Sequence, residues 1–279
     1  MATTTRQKSG YITANIVTIL LVLIPVFWIV SLSFKDPSTI AATGRATFWP
    51  TKWTWANYNG IFNSSEFTRP LLNSIGIGLI ATFISVVLAS LAAYAVARLR
   101  FPGKNALIGI SLLIAMFPLI SLVTPLFNNS APLTKTGTAI AIIILAEVWK
   151  TTPFMALLLM AGLSLVPEDL LKAARVDGAS AWQRFYRVTL PLMKPAILVA
   201  LLFRTLDAFR IFDNIYILTG GGNGTYSVSI LGYDNLFRAL NLGIGSAISI
   251  LIFICVAIIA VLFIRGFGAA VPGSAAGGR

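Results

Sequence analysis

The sequence predicts an all-α polytopic membrane protein with six transmembrane helices, and three observations carry that prediction. Mean hydropathy is +0.86, while 57% of the 279 residues are hydrophobic and only 11% are charged, too few polar residues to cover a soluble domain of this length. The apolar residues fall in runs of roughly 20 or more, the length a helix needs to cross about 30 Å of hydrocarbon. One basic island, residues 163–194, interrupts those runs between the fourth and the fifth.

The elements follow in order. A basic start (Arg6, Lys8) leads into an apolar stretch, 11–33, that is too long for the core of a cleaved leader and reads as the first span. The segment from Lys35 to Arg69 carries Trp49, Trp53, Trp55 and Tyr58, either an interfacial aromatic belt or a docking surface for an external partner. The second span, 72–97, places Gly76, Gly78, Ala81, Ser85, Ala89, Ser90, Ala92 and Ala93 at helical spacing. Such small residues let helix backbones approach closely in lipid. The third and fourth spans are 106–127 and 138–161.

The island then reads as two short helices joined at a glycine. Pro167 followed by Glu168 and Asp169 starts the first, because proline costs nothing in a first turn and acids there complement the helix dipole. Asp177-Gly178 turns the chain, glycine tolerating positive φ. Ser180 with Gln183 three residues on is a capping box that restarts a helix, and Pro191 and Pro195 stop it. The alternative is an amphipathic helix lying on the lipid surface, but a hinge and a second cap have no purpose there. The fifth and sixth spans are 195–219 and 242–264, followed by a flexible Gly- and Ala-rich tail from Gly266 to Arg279.

An even number of spans puts both termini on one side, and Lys and Arg choose the side. Arg6, Lys8, Arg98, Arg100, Lys104, Lys172, Arg175, Arg184, Arg187, Lys194, Arg265 and Arg279 lie on one face; Lys35, Arg45, Lys52, Arg69, Lys135 and Arg238 lie on the other. Twelve against six makes the first face cytoplasmic. The net charge of +12 is therefore largely a topology signal, and nucleic acid is not an expected partner.

The chemistry available is narrow. There are no histidines and one cysteine, Cys255, so imidazole catalysis, a disulfide and a cysteine metal cluster are excluded. No metal or cofactor is expected on this chain. Pro102-Gly103-Lys104-Asn105 lacks the lead-in glycines and the hydroxyl of a phosphate loop. The run from Thr219 to Gly224 lacks its lysine, and reads as a flexible re-entry turn. If ATP drives this protein, another chain hydrolyses it. The fifth span carries Arg204, Asp207, Arg210 and Asp213 at intervals of three, and the fourth carries Glu147 and Lys150. Residues three apart share a helix face, and Arg204 and Asp207 fall near mid-membrane at about 1.5 Å per residue. Charges there face protein or water, not lipid. They form either a polar translocation path or internal pairs that fix helix register.

The island resembles the cytoplasmic Glu-Ala-Ala loop of the permease subunits of ATP-binding-cassette importers. Ala173, Ala174, Gly178, Val188, Leu190 and Pro191 fall in register with that pattern, with Val188 for isoleucine and Lys172 where the family usually has glutamate. The likeness extends along the chain to carbohydrate importers of the maltose/trehalose type. Asn73-Ser74, the run Ala92 to Arg98 and Phe101-Pro102-Gly103 are similar to one permease subunit. The run Arg204 to Asp213 and Leu218 to Gly222 are similar to the other.

The resemblance implies a single type I importer permease domain over 1–279, in a bacterial inner membrane. It also implies a second permease subunit completing a heterodimer, two cytoplasmic ATPase subunits that bind ATP and Mg, and an extracytoplasmic sugar-binding protein or lipoprotein. Lys172, Ala173, Ala174, Asp177, Gly178, Ala179, Trp182, Phe185, Leu190 and Pro191 would form the ATPase-coupling element. The chain itself would not be an enzyme. The cargo would be a sugar such as trehalose or maltose, with another small solute such as glycerol phosphate as the alternative. An ion-driven secondary transporter would instead show repeats and paired interrupted spans.

Overall fold

The computed structural model describes residues 5–39, 49–50, 52–99, 101–116 and 131–267, and among these it is all helical apart from one isolated bridge between Lys35 and Trp53. We number the helices α1 (Thr5–Ser33), α2 (Ala56–Asn63), α3 (Ser65–Arg98), α4 (Lys104–Met116) and α5 (Thr136–Leu163). They continue as α6 (Glu168–Val176), α7 (Ala181–Leu192), α8 (Lys194–Ala208), α9 (Asp213–Thr219), α10 (Val228–Tyr233) and α11 (Leu242–Phe267).

Four helices are long and apolar enough to cross a membrane: Tyr11–Ser33, Ser65–Arg98, Thr136–Leu163 and Leu242–Gly266. They correspond to the expected first, second, fourth and sixth spans. The expected third span begins in α4, and its second half lies outside the described residues. The expected fifth span, 195–219, is not one helix. α8 ends at Ala208 and α9 begins at Asp213, with a break between them. The carbonyls freed by the break are capped by hydroxyls: Ser229 Oγ donates to Phe209 O at 3.0 Å and Ser227 Oγ donates to Ile211 O at 3.1 Å. Buried backbone must find such partners where no water can. A composition window sees only the apolar average and misses the interruption.

The chain divides into two compact units. The first holds residues 1–68 and 231–254. In it, Asn57 Nδ2 donates to Ser33 O and Lys35 O at 2.9 and 2.8 Å, and Tyr58 OH donates to Ser33 Oγ at 2.9 Å. Phe34 sits among Trp53, Trp55 and Tyr58, while Lys35 Nζ lies 5.1 Å from the centre of the Trp28 ring. α11 starts close against α2: a methyl on Gly243 would come within 2.7 Å of Asn57 Oδ1.

The second unit holds residues 69–230 and 255–279. One apolar core joins Ile77 of α3, Ala139, Ile143 and Ala146 of α5, Ile215 and Leu218 of α9 and Ile230 of α10. A second joins Ala89 and Ala93 of α3, Met155, Leu159 and Leu163 of α5, and Met193 and Ala200 beside or in α8. Small residues set the spacing. A methyl on Gly78 would lie 2.8 Å from Ala208 Cβ, and one on Gly162 would overlap Ala196 Cβ. The glycine run after α9 is a hydrogen-bonded turn: Asn73 Nδ2 donates to Gly224 O at 2.8 Å and Tyr226 O at 3.0 Å, and Asn223 Nδ2 donates to Leu133 O at 2.9 Å.

Candidate functional site

Two places in the second unit gather the residues singled out by sequence. The first is the polar loop, which runs from the end of α5 at Leu163 to the start of α8 at Lys194. Pro167 stands at the N-cap of α6 and Glu168 and Asp169 fill its first turn. Gly178 takes φ +80°, and the helix closes with Gly178 N–H on Arg175 O at 3.1 Å and Ala179 N–H on Ala174 O at 2.9 Å. That bond pair is the left-handed glycine cap, which requires φ above zero at this residue. Both bonds of the capping box are present: Ser180 N–H donates to Gln183 Oε1 at 2.8 Å and Gln183 N–H to Ser180 Oγ at 3.2 Å.

α7 departs from expectation. It continues as a π-type turn through Arg184–Thr189, passes Pro191, and meets α8 at 70°. Pro191 sits at an early position of a new α turn, where its missing N–H costs nothing. Pro195 likewise opens α8.

The loop is tied down on one face and open on the other. Phe185 is buried, edge-on to Tyr94 of α3 at 5.1 Å and against Trp182 at 5.4 Å. Arg98, at the last residue of α3, donates Nη1 to Glu168 Oε1 at 3.1 Å and Nη2 to the carbonyls of Leu163 and Val166 at 2.9 and 2.6 Å. Sequence reasoning counted Arg98 as a topology charge and as the end of a run similar to a permease subunit; its fixed fork of donors binds the loop to the span. α6 buries none of its residues. Val176 is 88% and Trp182 63% exposed, an apolar display that water disfavours.

Lys172 and Asp177 are exposed, as are Ala173 and Pro191, with Ala174, Ala179 and Leu190 half-buried. Lys172 Nζ donates to Asp169 Oδ1 at 2.9 Å. That bond holds the Asp169 carboxyl below the usual carboxylate value and raises the Lys172 ammonium above its own. The pair therefore stands at neutral pH, and is lost as pH falls through the lowered carboxylate pKa or rises through the raised ammonium pKa.

The second place is a cavity of about 380 Å³ between α5 and α8, lined by Lys150, Thr151, Phe154, Met155, Leu158, Ala200, Phe203, Arg204 and Asp207. Arg204 is its hub. Nη1 donates to Asp207 Oδ2 at 3.2 Å, the pair the three-residue spacing predicts, and Nη2 donates to Glu147 Oε2 at 3.1 Å. Glu147 and Arg204 are both buried. Asn214 of α9 satisfies the other Glu147 oxygen, Nδ2 to Oε1 at 2.7 Å.

Among the described residues, Glu147 does not pair with Lys150, nor Asp207 with Arg210, contrary to the spacing. The buried Glu147 takes the cation of the neighbouring helix, Lys150 points to the cavity side, and the helix that would align Arg210 with Asp207 has already ended at Ala208. Arg210 and Asp213 are exposed and do not line the cavity. Asn214 was missed by sequence reasoning, since nothing local in the chain links it to a residue 67 positions earlier.

Residues 85–271 match the family described as binding-protein-dependent transport system inner membrane component. The trehalose transport system permease protein SugA of Mycobacterium tuberculosis is 70% identical over 151 residues, covering 54% of this chain and 49% of that protein. SugB, the trehalose transport system permease protein of the same organism, is 48% identical over 178 residues, 64% of each. The trehalose/maltose transport system permease protein MalF of Thermococcus litoralis is 51% identical over 140 residues, 48% of this chain and 47% of that protein. The chain thus spans about half to two thirds of the length of these relatives. Among solved structures, a chain of a bacterial ABC transporter involved in the import of the acidic polysaccharide alginate superposes with a TM-score of 0.78 at 19% identity, covering 95% of this chain and 97% of that one. The helical fold, the glycine-capped loop and the matched two thirds of the sequence together place this chain in the binding-protein-dependent transport system inner membrane component family.

Proposed function

We propose that this chain is a permease subunit of an ATP-driven importer that moves a sugar, such as the disaccharides trehalose or maltose, into the cytoplasm by alternating access. The observation that carries the proposal is the loop from Leu163 to Lys194. Arg98 and Phe185 anchor it to α3, while Val176 and Trp182 remain exposed. A lever held on one side and apolar on the other suits a soluble ATPase subunit, and its capped ends transmit movement to α5 and α8. Binding energy drives such a cycle only through different contacts in the two states. In this reading six spans cross a bacterial inner membrane with both termini in the cytoplasm. A second permease subunit, two ATPase chains holding ATP and Mg, and an extracytoplasmic sugar-binding protein complete the machine.

The cavity supports a sugar over an anionic solute such as glycerol phosphate. Its two cations, Lys150 and Arg204, are equalled in number by Asp207 and by Glu147 behind it, both of which bond Arg204. That leaves no charge surplus for a phosphate, while Phe154 and Phe203 offer aromatic faces to the apolar side of a sugar ring. Lys150, Arg204 and Asp207 would touch cargo, and Glu147 would hold Arg204 in place. Copurification from membranes followed by an ATPase assay tests the reading. ATPase stimulation by sugar-loaded binding protein is expected, and a complex lacking an ATPase chain would overturn it.

A further inference from the structure

Beside the loop lies a second recess, of about 510 Å³, lined by Tyr94, Ala97, Arg98, Leu99, Lys104, Glu168, Leu171, Lys172, Arg175 and Arg184. Five of these side chains are cationic and one is acidic. Glu168 is taken by Arg98, and Lys172 by Asp169. Lys104 and Arg175 have no ion-pair or hydrogen-bond partner among the described residues. The Nε of Arg98 is buried without a hydrogen-bond acceptor, and a buried charged donor left unmatched is costly. The recess therefore has a surplus of positive charge and an unmet donor.

Two of the helices that line the recess, α3 and α4, also line a small apolar groove with α5. From α3 it takes Ala92, Ala93 and Val96, from α4 Leu107, Ile108 and Ser111, and from α5 Ala156, Leu157 and Met160. Along α3, six residues separate Arg98 from Ala92, about 9 Å at the helical rise. Along α4, seven separate Lys104 from Ser111, about 10 Å. Cations thus stand at the ends of both helices, and the residues that each gives to the groove within the next two turns are apolar or small. A free phosphate would have use for the first part alone. Val176 and Trp182, the exposed apolar residues of the loop, do not line the recess, whereas Lys172 of the expected coupling element stands at its edge, so the recess adjoins the surface offered to an ATPase and does not include its apolar part.

We propose that this recess and groove form a binding site for an anionic phospholipid of the inner leaflet, with the headgroup phosphate among Arg98, Lys104 and Arg175 and an acyl chain along the groove. Basic pockets between spans on the cytoplasmic side recognise anionic headgroups through this combination of charge and adjoining hydrocarbon. Occupancy would brace the Arg98 clamp that ties the loop to α3, making coupling sensitive to the lipid composition around it. The cytoplasmic placement rests on the orientation proposed above; lipid selectivity itself does not.

The test is native mass spectrometry of the detergent-solubilised importer complex with equal amounts of phosphatidylglycerol and phosphatidylcholine added. The unaltered complex should retain phosphatidylglycerol preferentially. The double variant Lys104→Gln/Arg175→Gln should lower that preference by about thirtyfold, at about 1 kcal/mol per removed cation. Ser111→Phe, which fills the groove and leaves every cation in place, should also weaken retention.

An unchanged preference in both variants overturns the proposal. So does displacement of the lipid by inorganic phosphate with Ser111→Phe silent, which would mark a free-phosphate site. Loss of the ATPase chains from the double variant with lipid preference intact would instead mark a protein-docking surface. Labelling of a cysteine at Ser180 by an impermeant reagent in whole cells would refute the orientation alone.

Discussion

Lys172 occupies the position at which the importer pattern usually has an acid, and the structure shows its ammonium engaged with Asp169 one helical turn earlier. Both side chains are largely exposed, so the pair is screened by salt and contributes little to stability. Lys172→Glu would set a third acid beside Glu168 and Asp169 without breaking a buried contact. ATPase pull-down with this variant should match the unaltered protein, and loss of the complex would show that Lys172 meets an acidic partner surface.

Gly178 is different because its constraint is backbone. At φ +80° the space where a side chain would stand is open, so Gly178→Ala should cost about 1–2 kcal/mol through the left-handed conformation alone. Gly178→Val, branched at Cβ, should cost more. Sugar uptake should fall while the protein still inserts and still assembles with the second permease. Normal uptake by Gly178→Val would remove the loop from the coupling role.

The Arg204 hub separates two neighbouring acids. Glu147 is buried with both oxygens bonded. Glu147→Gln removes the buried partner of Arg204, leaving it only the half-exposed Asp207, and should lower stability by about 3 kcal/mol. Asp207 is half-exposed, and its loss leaves Arg204 still paired with Glu147. Spacing alone left Asp207 either as an internal partner of Arg204 or as part of a polar path. With Glu147 in place, Asp207→Asn should assemble in normal yield and reduce uptake. Thermal unfolding of the two variants in detergent, read beside transport, checks both expectations; equal destabilisation would contradict the division of roles.

At the scale of elements, contact distance between helices rests on residues without side chains to spare. Gly162 of α5 touches Ala196 of α8, and Gly78 of α3 touches Ala208. In lipid, where apolar side chains gain nothing by leaving their surroundings, close packing of this kind supplies helix association. Gly162→Leu should push α8 away from α5 at a cost of about 1–3 kcal/mol. Lower complex yield and a lower unfolding temperature than for Gly60→Leu, where nothing lies within 4 Å, are the expected readouts. Equal yields for the two variants would argue against tight α5–α8 contact. The break between α8 and α9 has its own logic. It brings Asn214 to Glu147 and leaves Arg210 and Asp213 outside the cavity, so an interruption of the fifth span decides which of four regularly spaced charges share a site.

At the scale of the whole molecule, the orientation proposal stands on the twelve-to-six distribution of Lys and Arg. A single cysteine at Ser180 should react only from the cytoplasm and one at Thr54 only from outside. Reaction of Ser180 with an impermeant reagent in intact cells would reverse the topology, and with it the direction in which the loop could meet an ATPase.

Local chemistry was enough to read much of this protein from its sequence. Apolar runs set the long helices, Pro167 and the Ser180–Gln183 pair set the caps, and the turn at Asp177-Gly178 required a glycine, because each depends on close neighbours in the chain. The tertiary structure alone decided the rest. Glu147 chose Arg204 over Lys150, Asn214 completed that pair, and Arg98 became the clamp of the loop, through contacts spanning 57, 67 and 65–70 residues respectively. The break in the fifth span belongs with them, since the serines that cap its freed carbonyls come from beyond the glycine turn. Buried polar groups must find partners wherever the packed helices bring them, and periodicity along one helix carries no record of what stands across from it.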